Sequence, residues 1–452
     1  MTRRLVLAIA STLLCSSVAA CVPATDSING SGATFPQQFQ AWATSMFNRD
    51  TGGSVLYSNP GGGSSKGKSD FRTGLNDFGG TDSAVSEEQA PDFDWVYVPY
   101  VGGAVALSYR LDDLNGAVLS LSESTIGGIF DGSIDRWNHP AIIADMATGA
   151  TWSNTRRESE VSGVTAMIHL TSESSLSISV LANPSILRSR SNEAVTVVDA
   201  NTDSVLAREL LKRGEVTLVV PSDPRATYSV RFEDAEVARF EHVEVEMPNT
   251  PITVAYRQDG SGTTNNFCRF LSAASSGQWD VGDAFVSCVP GGSSRVAGYG
   301  SRFQGHSGSA NLANYVSNTD GSIGYNEVSF ILEPSRWSRG MRAVNVRNAA
   351  GEFVPPLASA VSSFLAGSSV DERGFVTFDY FQTGNATAYP IGAVTYALGR
   401  TAQSERNEVV SEYLLWILTD FAPRYAEALG YAPLTGALRE RAVRQARRVN
   451  SE

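Results

Sequence analysis

Phe35, Phe39, Trp42, Met46 and Phe47 fall at i, i+4, i+7, i+11 and i+12, the spacing of a helix with one apolar face turned to a core. Thr34 stands where the N-cap of that helix belongs, and Pro36 suits its first turn. Val96-Tyr97-Val98-Pro99-Tyr100-Val101 reads as a strand running to Gly102-Gly103, with Val105 to Tyr109 continuing it. Phe267, Phe270 and Leu271 mark a second core-facing helix. Val409, Tyr413, Leu414, Ile417, Leu418 and Phe421 mark a third, in a helical stretch from Glu408 to Ser451. Helix and strand signals alternate from about residue 26 to 101. The pattern predicts an α/β chain of two lobes, crossing a hinge at Gly102-Gly103 and returning near Tyr389-Pro390-Ile391.

Residues 145–250 have a different texture. Val195-Thr196-Val197-Val198, Val216-Thr217-Leu218-Val219-Val220, Tyr228-Ser229-Val230-Arg231-Phe232 and Val243-Glu244-Val245-Glu246 read as strands. Ser204 to Lys212 reads as one short helix. The expectation is a β-rich subdomain displayed from the second lobe. It is either a surface elaboration or a docking surface for another envelope component.

A chain of 452 residues exceeds one ordinary domain. The net charge is −12, and −14 without the first twenty residues, which hold Arg3 and Arg4 and no acid. An acidic surface argues against nucleic acid or an anionic lipid surface as partner. It does not exclude a small anion, whose site is made by local dipoles and single side chains.

Arg3 and Arg4 precede Leu5 to Leu14, an apolar run too short for a permanent membrane span. Val18-Ala19-Ala20-Cys21 then resembles a bacterial lipobox. Residues 1–20 read as an export signal, with Cys21 the lipid-carrying first residue of the mature chain; plain cleavage after Ala20 is the alternative. No later apolar run is long enough to span a membrane. Cys15 leaves with the signal, so Cys268 and Cys288 remain as an even pair in an oxidising compartment and are expected to form a disulfide, with two buried thiols as the alternative. The four histidines, at 139, 169, 242 and 306, show no metal-ligand spacing, and no cofactor is expected.

Three Gly-hydroxyl loops each open a helix: Asn29-Gly30-Ser31-Gly32-Ala33-Thr34-Phe35-Pro36, Gly61-Gly62-Gly63-Ser64-Ser65-Lys66-Gly67-Lys68, and Tyr256-Arg257-Gln258-Asp259-Gly260-Ser261-Gly262-Thr263-Thr264. Glycines let backbone amides face a ligand, first-turn N–H groups donate, and Arg257 adds a planar charged fork. Such convergence suits a tetrahedral oxyanion.

The segments Gly32-Ala33-Thr34-Phe35-Pro36, Gly63-Ser64, Asp77-Phe78-Gly79-Gly80-Thr81-Asp82, Arg257-Gln258-Asp259-Gly260-Ser261-Gly262-Thr263, Gly321-Ser322-Ile323-Gly324-Tyr325 and Tyr389-Pro390-Ile391 follow one another in a recognisable order. In these the chain resembles the phosphate-binding subunit of the high-affinity bacterial phosphate ABC importer. The resemblance covers nearly the whole mature chain except one long interval. It implies a two-lobed, type II-like periplasmic-binding-protein fold. The first lobe would come from residues 21–101 and 391–452, and the second from 102–144 and 251–390. Residues 145–250 would be an insertion where the family has a short connection. It also implies inorganic phosphate as ligand, no enzyme activity, a monomer, and a lipid-anchored location outside the cytoplasm. The implied partners are the transmembrane subunits of an ABC permease with their cytoplasmic ATPase.

Residue by residue, the resemblance makes Thr34 a hydroxyl and amide donor, Phe35 an amide donor and Ser64 a hydroxyl donor. Arg257 becomes the charged ligand, held by Asp259, and Ser261, Gly262 and Thr263 close the second-lobe side. Asp82 becomes an acceptor for the proton that phosphate keeps near neutral pH and sulfate lacks, which would reject sulfate. Taken alone, Asp82 could instead cap the helix begun by Glu87 and Glu88. Lys66 and Lys68 depart from the family's small or apolar loop residues; they read as solvent-facing, with added charge near the site as the alternative. An extracellular phosphate sensor or adhesin remains a second class. A phosphate-ester hydrolase is a third, opposed by the lack of a histidine near these serines in sequence.

Overall fold

The computed structural model describes residues 27–452 apart from 59–60, 149–151, 157–158, 173, 191 and 383. The expected export signal and Cys21 lie outside the described residues. The chain opens with β1 (Ile28–Gly32), α1 (Gln37–Thr51), β2 (Val55–Ser58), α2 (Gly63–Arg72) and β3 (Phe78–Thr81). β1 lies between β2 and β3 and pairs parallel with both. These short strands, joined by amphipathic helices, make the α/β layer that the periodicity predicts.

β4 (Trp95–Arg110) follows, with every residue between its two ends buried. Such a continuous apolar run belongs to a strand covered on both faces. Four further strands complete the sheet: β5 (Thr253–Arg257), β6 (Phe303–His306), β7 (Ser322–Glu327) and β8 (Gly392–Arg400). The order is β6-β5-β7-β4-β8-β3-β1-β2, with two short strands also pairing β4 to make ten. Trp95 to Ala104 of β4 pair with β8, whereas Val105 to Arg110 pair with β7. One strand therefore serves both halves of the sheet. Its partner changes just after Gly102 and Gly103, whose missing side chains make room for Leu365 and Phe35: a Cβ there would lie 2.4 and 2.7 Å from those neighbours.

The C-terminal helices pack on the first half. Phe39 meets Phe421 and Tyr431 at 5.0 and 5.6 Å between ring centres, and Phe47 meets Tyr413 at 5.1 Å. Of the C-terminal stripe only Val409 is less than fully buried.

Residues 152–242 form two antiparallel sheets of their own. One has five strands in the order Ser204–Leu210, Ala194–Asp199, Thr227–Phe232, Ala235–His242, Trp152–Asn154; the other has Glu215–Pro221, Ser175–Ala182 and Val164–Ser172. Trp152, Ile168, Ile178, Val197, Val230 and Phe240 lie in an apolar core separate from that of the main sheet. Two sequence expectations fail here. Ser204 to Leu210 is a strand, not a helix, because pairing with Ala194–Asp199 overrides the intrinsic helix preference of Leu206 to Leu210. Val243 to Glu246 is irregular: Val243 and Val245 pack on the main core instead of extending the sheet. The Glu215 carboxylate ties this region to the main body by accepting the amides of Ala358 (3.0 Å) and Ser359 (3.3 Å) at a helix start.

Candidate functional site

Four helix starts meet between the two halves of the sheet. They are α1, reached through Thr34 and Phe35, α2 at Gly63, α3 (Gly262–Ala274) and α4 (Ser309–Asn318). The first amides of each helix have no carbonyl partner within it and carry the positive end of its dipole. Arg257, the last residue of β5, lies among them at 1% exposure. Its Nε donates to Asp259 Oδ1 at 2.7 Å and its Nη2 to Oδ2. Its Nη1 donates to Thr34 Oγ1 (2.9 Å) and Ser309 Oγ (3.1 Å), which lie 2.9 Å apart. The Gly308 amide holds Asp259 from the far side at 3.1 Å. Burial works against charge on both partners, but each holds the other ionised. Asp259 stays below the usual carboxylate range and Arg257 above its ordinary value.

Across the gap, Ser64 Oγ accepts the Asp82 amide at 3.1 Å and lies 3.4 Å from Asp82 Oδ2. Asp82 Oδ1 is buried without a hydrogen-bond partner. Burial pushes the Asp82 carboxyl up to about 7, against the pull of the Thr395 hydroxyl, Arg257 and Ser64. Glu327, at the end of β7, accepts from Thr263 Oγ1 (3.3 Å) and Ser309 Oγ (3.2 Å) through Oε1, while Oε2 is buried and unpartnered. Burial pushes it up to about 8, with Asp82 adding to the rise and Arg257 opposing it.

The two halves are in contact. Ser65 N donates to Gly260 O at 3.1 Å, and Asn266 Nδ2 to Asp82 O at 2.7 Å. A Cβ on Gly262 would come within 2.5 Å of Ser64 Oγ and 2.7 Å of Asp82 Cβ, so only glycine permits this approach. At the edge of the contact, Asp283 Oδ2 accepts from Lys68 Nζ (2.8 Å), Ser65 Oγ (3.1 Å) and Ser83 Oγ (3.2 Å), all from the first half.

A sequence model described as a PBP superfamily domain matches residues 18–175 and 187–420. The chain belongs to the PBP superfamily. Within this superfamily it is 24% identical over 414 residues to the phosphate-binding protein PstS of Xylella fastidiosa strain 9a5c, covering 90% of this chain and 81% of that protein. It is 24% identical over 386 residues to phosphate-binding protein PstS 3 of Mycobacterium leprae, covering 82% and 72%. A solved structure, that of the high-affinity periplasmic phosphate-binding protein PfluDING bound with phosphate at pH 8.5, aligns with a TM-score of 0.51 at 18% identity over 92% of both chains. The fold is thus the two-lobed arrangement of periplasmic binding proteins, and the loops between the lobes are the cleft of a PBP superfamily member.

Within this cleft Thr34, Phe35, Ser64, Asp82, Arg257, Ser261, Gly262 and Thr263 are buried together, with Asp259 behind Arg257. Thr34 does not cap α1: Pro36 precedes the helix, and the Thr34 hydroxyl is engaged by Arg257 and Ser309 instead. Ser261 caps α3, accepting the Thr264 amide at 3.2 Å. Asp82 does not cap the turn at Glu87, because Ser86 and Gln89 form that capping box.

The solvent-facing reading of the lysines holds only for Lys66, which is partly exposed and pairs with Asp70. Lys68 is buried and reaches Ser83, Ala84 and Asp283. Cys268 and Cys288 are not bridged. They stand as two buried thiols, with Cys288 Sγ donating at 3.4 Å to the carbonyls of Gly282 and Ala284. Burial, followed by the neighbouring Cys288, pushes the Cys268 thiol well up.

The sequence reading missed Ser309, Glu327 and Asp283. Gly308-Ser309 carried the same Gly-hydroxyl helix-start signal as the other three loops. Glu327 had one local cue, a carboxylate two residues after the strand-like Ile323-Gly324-Tyr325. Asp283, in an irregular segment, had none.

Proposed function

We propose that this protein binds inorganic phosphate between its lobes, outside the cytoplasm, and delivers it to the transmembrane subunits of an ABC permease served by a cytoplasmic ATPase. It acts as a binding protein, not an enzyme. In this reading Cys21 carries the lipid anchor and the chain works as a monomer. Among the described residues no helix is long and apolar enough to cross a membrane. The phosphate-binding relatives and the shared two-lobed fold support the ligand class.

The observation that carries the reading is the buried Asp82 carboxyl, with one oxygen unpartnered, opposite the Arg257 guanidinium and four helix starts. Donors alone would hold any tetrahedral oxyanion. In our reading the Thr34 and Ser64 hydroxyls, the Thr34, Phe35, Gly262 and Thr263 amides, and the Arg257 guanidinium surround the anion, with Ser261 fixing the start of α3. Asp82 then takes the hydrogen that phosphate retains. A fully ionised sulfate would press its lone pairs against an ionised carboxylate in a dry site, a mismatch that costs several kcal/mol.

Calorimetry of the mature protein, freed of phosphate, tests this against phosphate, sulfate, arsenate and molybdate. One phosphate per chain and no competition from sulfate at pH 8 are expected. Equal binding of sulfate and phosphate at that pH would overturn the acceptor role of Asp82.

A further inference from the structure

Glu327 is a buried carboxyl inside an anion cleft that already contains two others. Arg257 is taken up by Asp259, and Asp82 faces the same space. Lys68, the other buried cation at this contact, is paired with Asp283. If Glu327 were ionised, three carboxylates would stand against one guanidinium before any anion arrived. Oε1 of Glu327 joins the hydroxyls that open two different helices, Thr263 in α3 and Ser309 in α4. Ser309 in turn touches Thr34 and Arg257. Glu327 also sits opposite Val105, the β4 residue at which the sheet passes from one lobe to the other.

Each hydroxyl has one hydrogen to give. An ionised carboxylate only accepts, so it would draw the hydrogens of Thr263 and Ser309 toward itself and away from the cleft. A neutral carboxylic acid supplies its own hydrogen to one of these oxygens. The hydroxyl that receives it can turn its own hydrogen toward a bound anion, directly from Thr263 or through Ser309 and Thr34.

We infer that Glu327 is a positioning residue that must be neutral for tight anion binding, orienting the Thr263, Ser309 and Thr34 hydroxyls as donors into the cleft. This rests on the anion-binding reading above. The charged and titratable groups facing Glu327 are Arg257, Asp82 and Tyr431. Asp259 and Tyr325 lie just behind Arg257, both bonded to it. Burial and Asp82 favour the neutral acid, and its raised position near 8 places the loss of that form at alkaline pH.

The test is phosphate affinity by calorimetry from pH 6 to 9.5 for wild type and Glu327→Gln, whose amide can donate and accept at any pH. At pH 6.5 the two should agree within about threefold. At pH 9.5 Glu327→Gln should bind at least about tenfold more tightly than wild type, since each pH unit above an ionisation that must be reversed weakens binding tenfold. The wild-type complex gives a second reading that does not depend on the variant's folding. The carbon-13 carboxyl resonance of Glu327 should stay in its protonated position at pH 7.5 with phosphate bound. Parallel affinity profiles, or an ionised Glu327 signal in the pH 7.5 complex, would overturn the assignment while leaving phosphate binding intact. Absence of phosphate binding by wild type at pH 7 would instead overturn the anion reading, and this inference with it.

Discussion

Two ion pairs lie at the contact between the lobes, one buried and one part-buried, and they are built differently. Arg257 and Asp259 are two residues apart on one lobe, and Asp259 is further held by Gly308 of the same lobe. Lys68 and Asp283 come from opposite lobes, 215 residues apart in sequence. The first pair is complete whatever the other lobe does. The second exists only while the lobes touch. In the phosphate-binding reading, one would prepare a charge before the anion arrives and the other would reward closure afterwards. A buried pair is poor evidence for stability in general, because desolvation offsets attraction. Here the pairs make better sense as preorganisation and as a clasp.

Breaking the first pair should have the largest effect. Arg257→Ala removes the charged donor and leaves Asp259 buried alone, so phosphate affinity should fall by about 3–5 kcal/mol in a titration. Arg257→Lys should recover only part, because a point charge cannot bond Asp259, Thr34 and Ser309 together. A near-neutral Arg257→Ala would place the anion elsewhere.

Asp82 feels both pairs, drawn down by Arg257 and pushed up by Asp283. Its acid form prevails below about 7, where the carboxyl can donate to sulfate; above that it only accepts. Sulfate competition should therefore grow as pH falls from 8 to 5.5. Asp82→Asn, able to donate at every pH, should flatten that dependence and narrow the phosphate-to-sulfate gap by roughly 2–3 kcal/mol. Competition that weakens on acidification would contradict this sign.

Asp283→Asn tests the clasp. Stopped-flow measurements should show phosphate leaving on the order of tenfold faster, with association nearly unchanged, because the clasp forms only after the lobes meet. An equal loss in association would mean that Asp283 acts before closure, as Arg257 does.

The smallest effect is expected where neither pair reaches. Replacing residues 150–247 with a short Gly/Ser linker should leave phosphate affinity within about tenfold, roughly 1.4 kcal/mol. A folded deletion protein that binds no phosphate would show that this region lines or gates the cleft. Intact binding with lost uptake in cells would point to docking.

The same contrast explains what could be read from the chain. Thr34, Ser64, Arg257 and the 261–263 turn announce themselves, because a helix start needs glycine and hydroxyl residues close together in sequence. Lys68 and Asp283 do not, since nothing local distinguishes a lysine bound for a partner 215 residues away from one bound for water. The strand at Ser204–Leu210 failed for a related reason: a neighbour in the sheet, not its own composition, decides its conformation. The thiols of Cys268 and Cys288 show that an even count predicts proximity better than bonding.

The change of partner along β4 has a mechanical consequence. The ladder to β8 ends at Ala104 and that to β7 begins at Val105; at the joint Val105 N donates to Ile391 O (2.8 Å) and Tyr389 Oη donates to Val105 O (3.2 Å). Bending the strand there would strain fewer ladder hydrogen bonds than bending it within either ladder. The joint is where the sheet would bend most easily, like a leaf spring thinned at its middle. In the binding-protein reading, the lobes would part by flexing that point, without any segment having to unfold and refold.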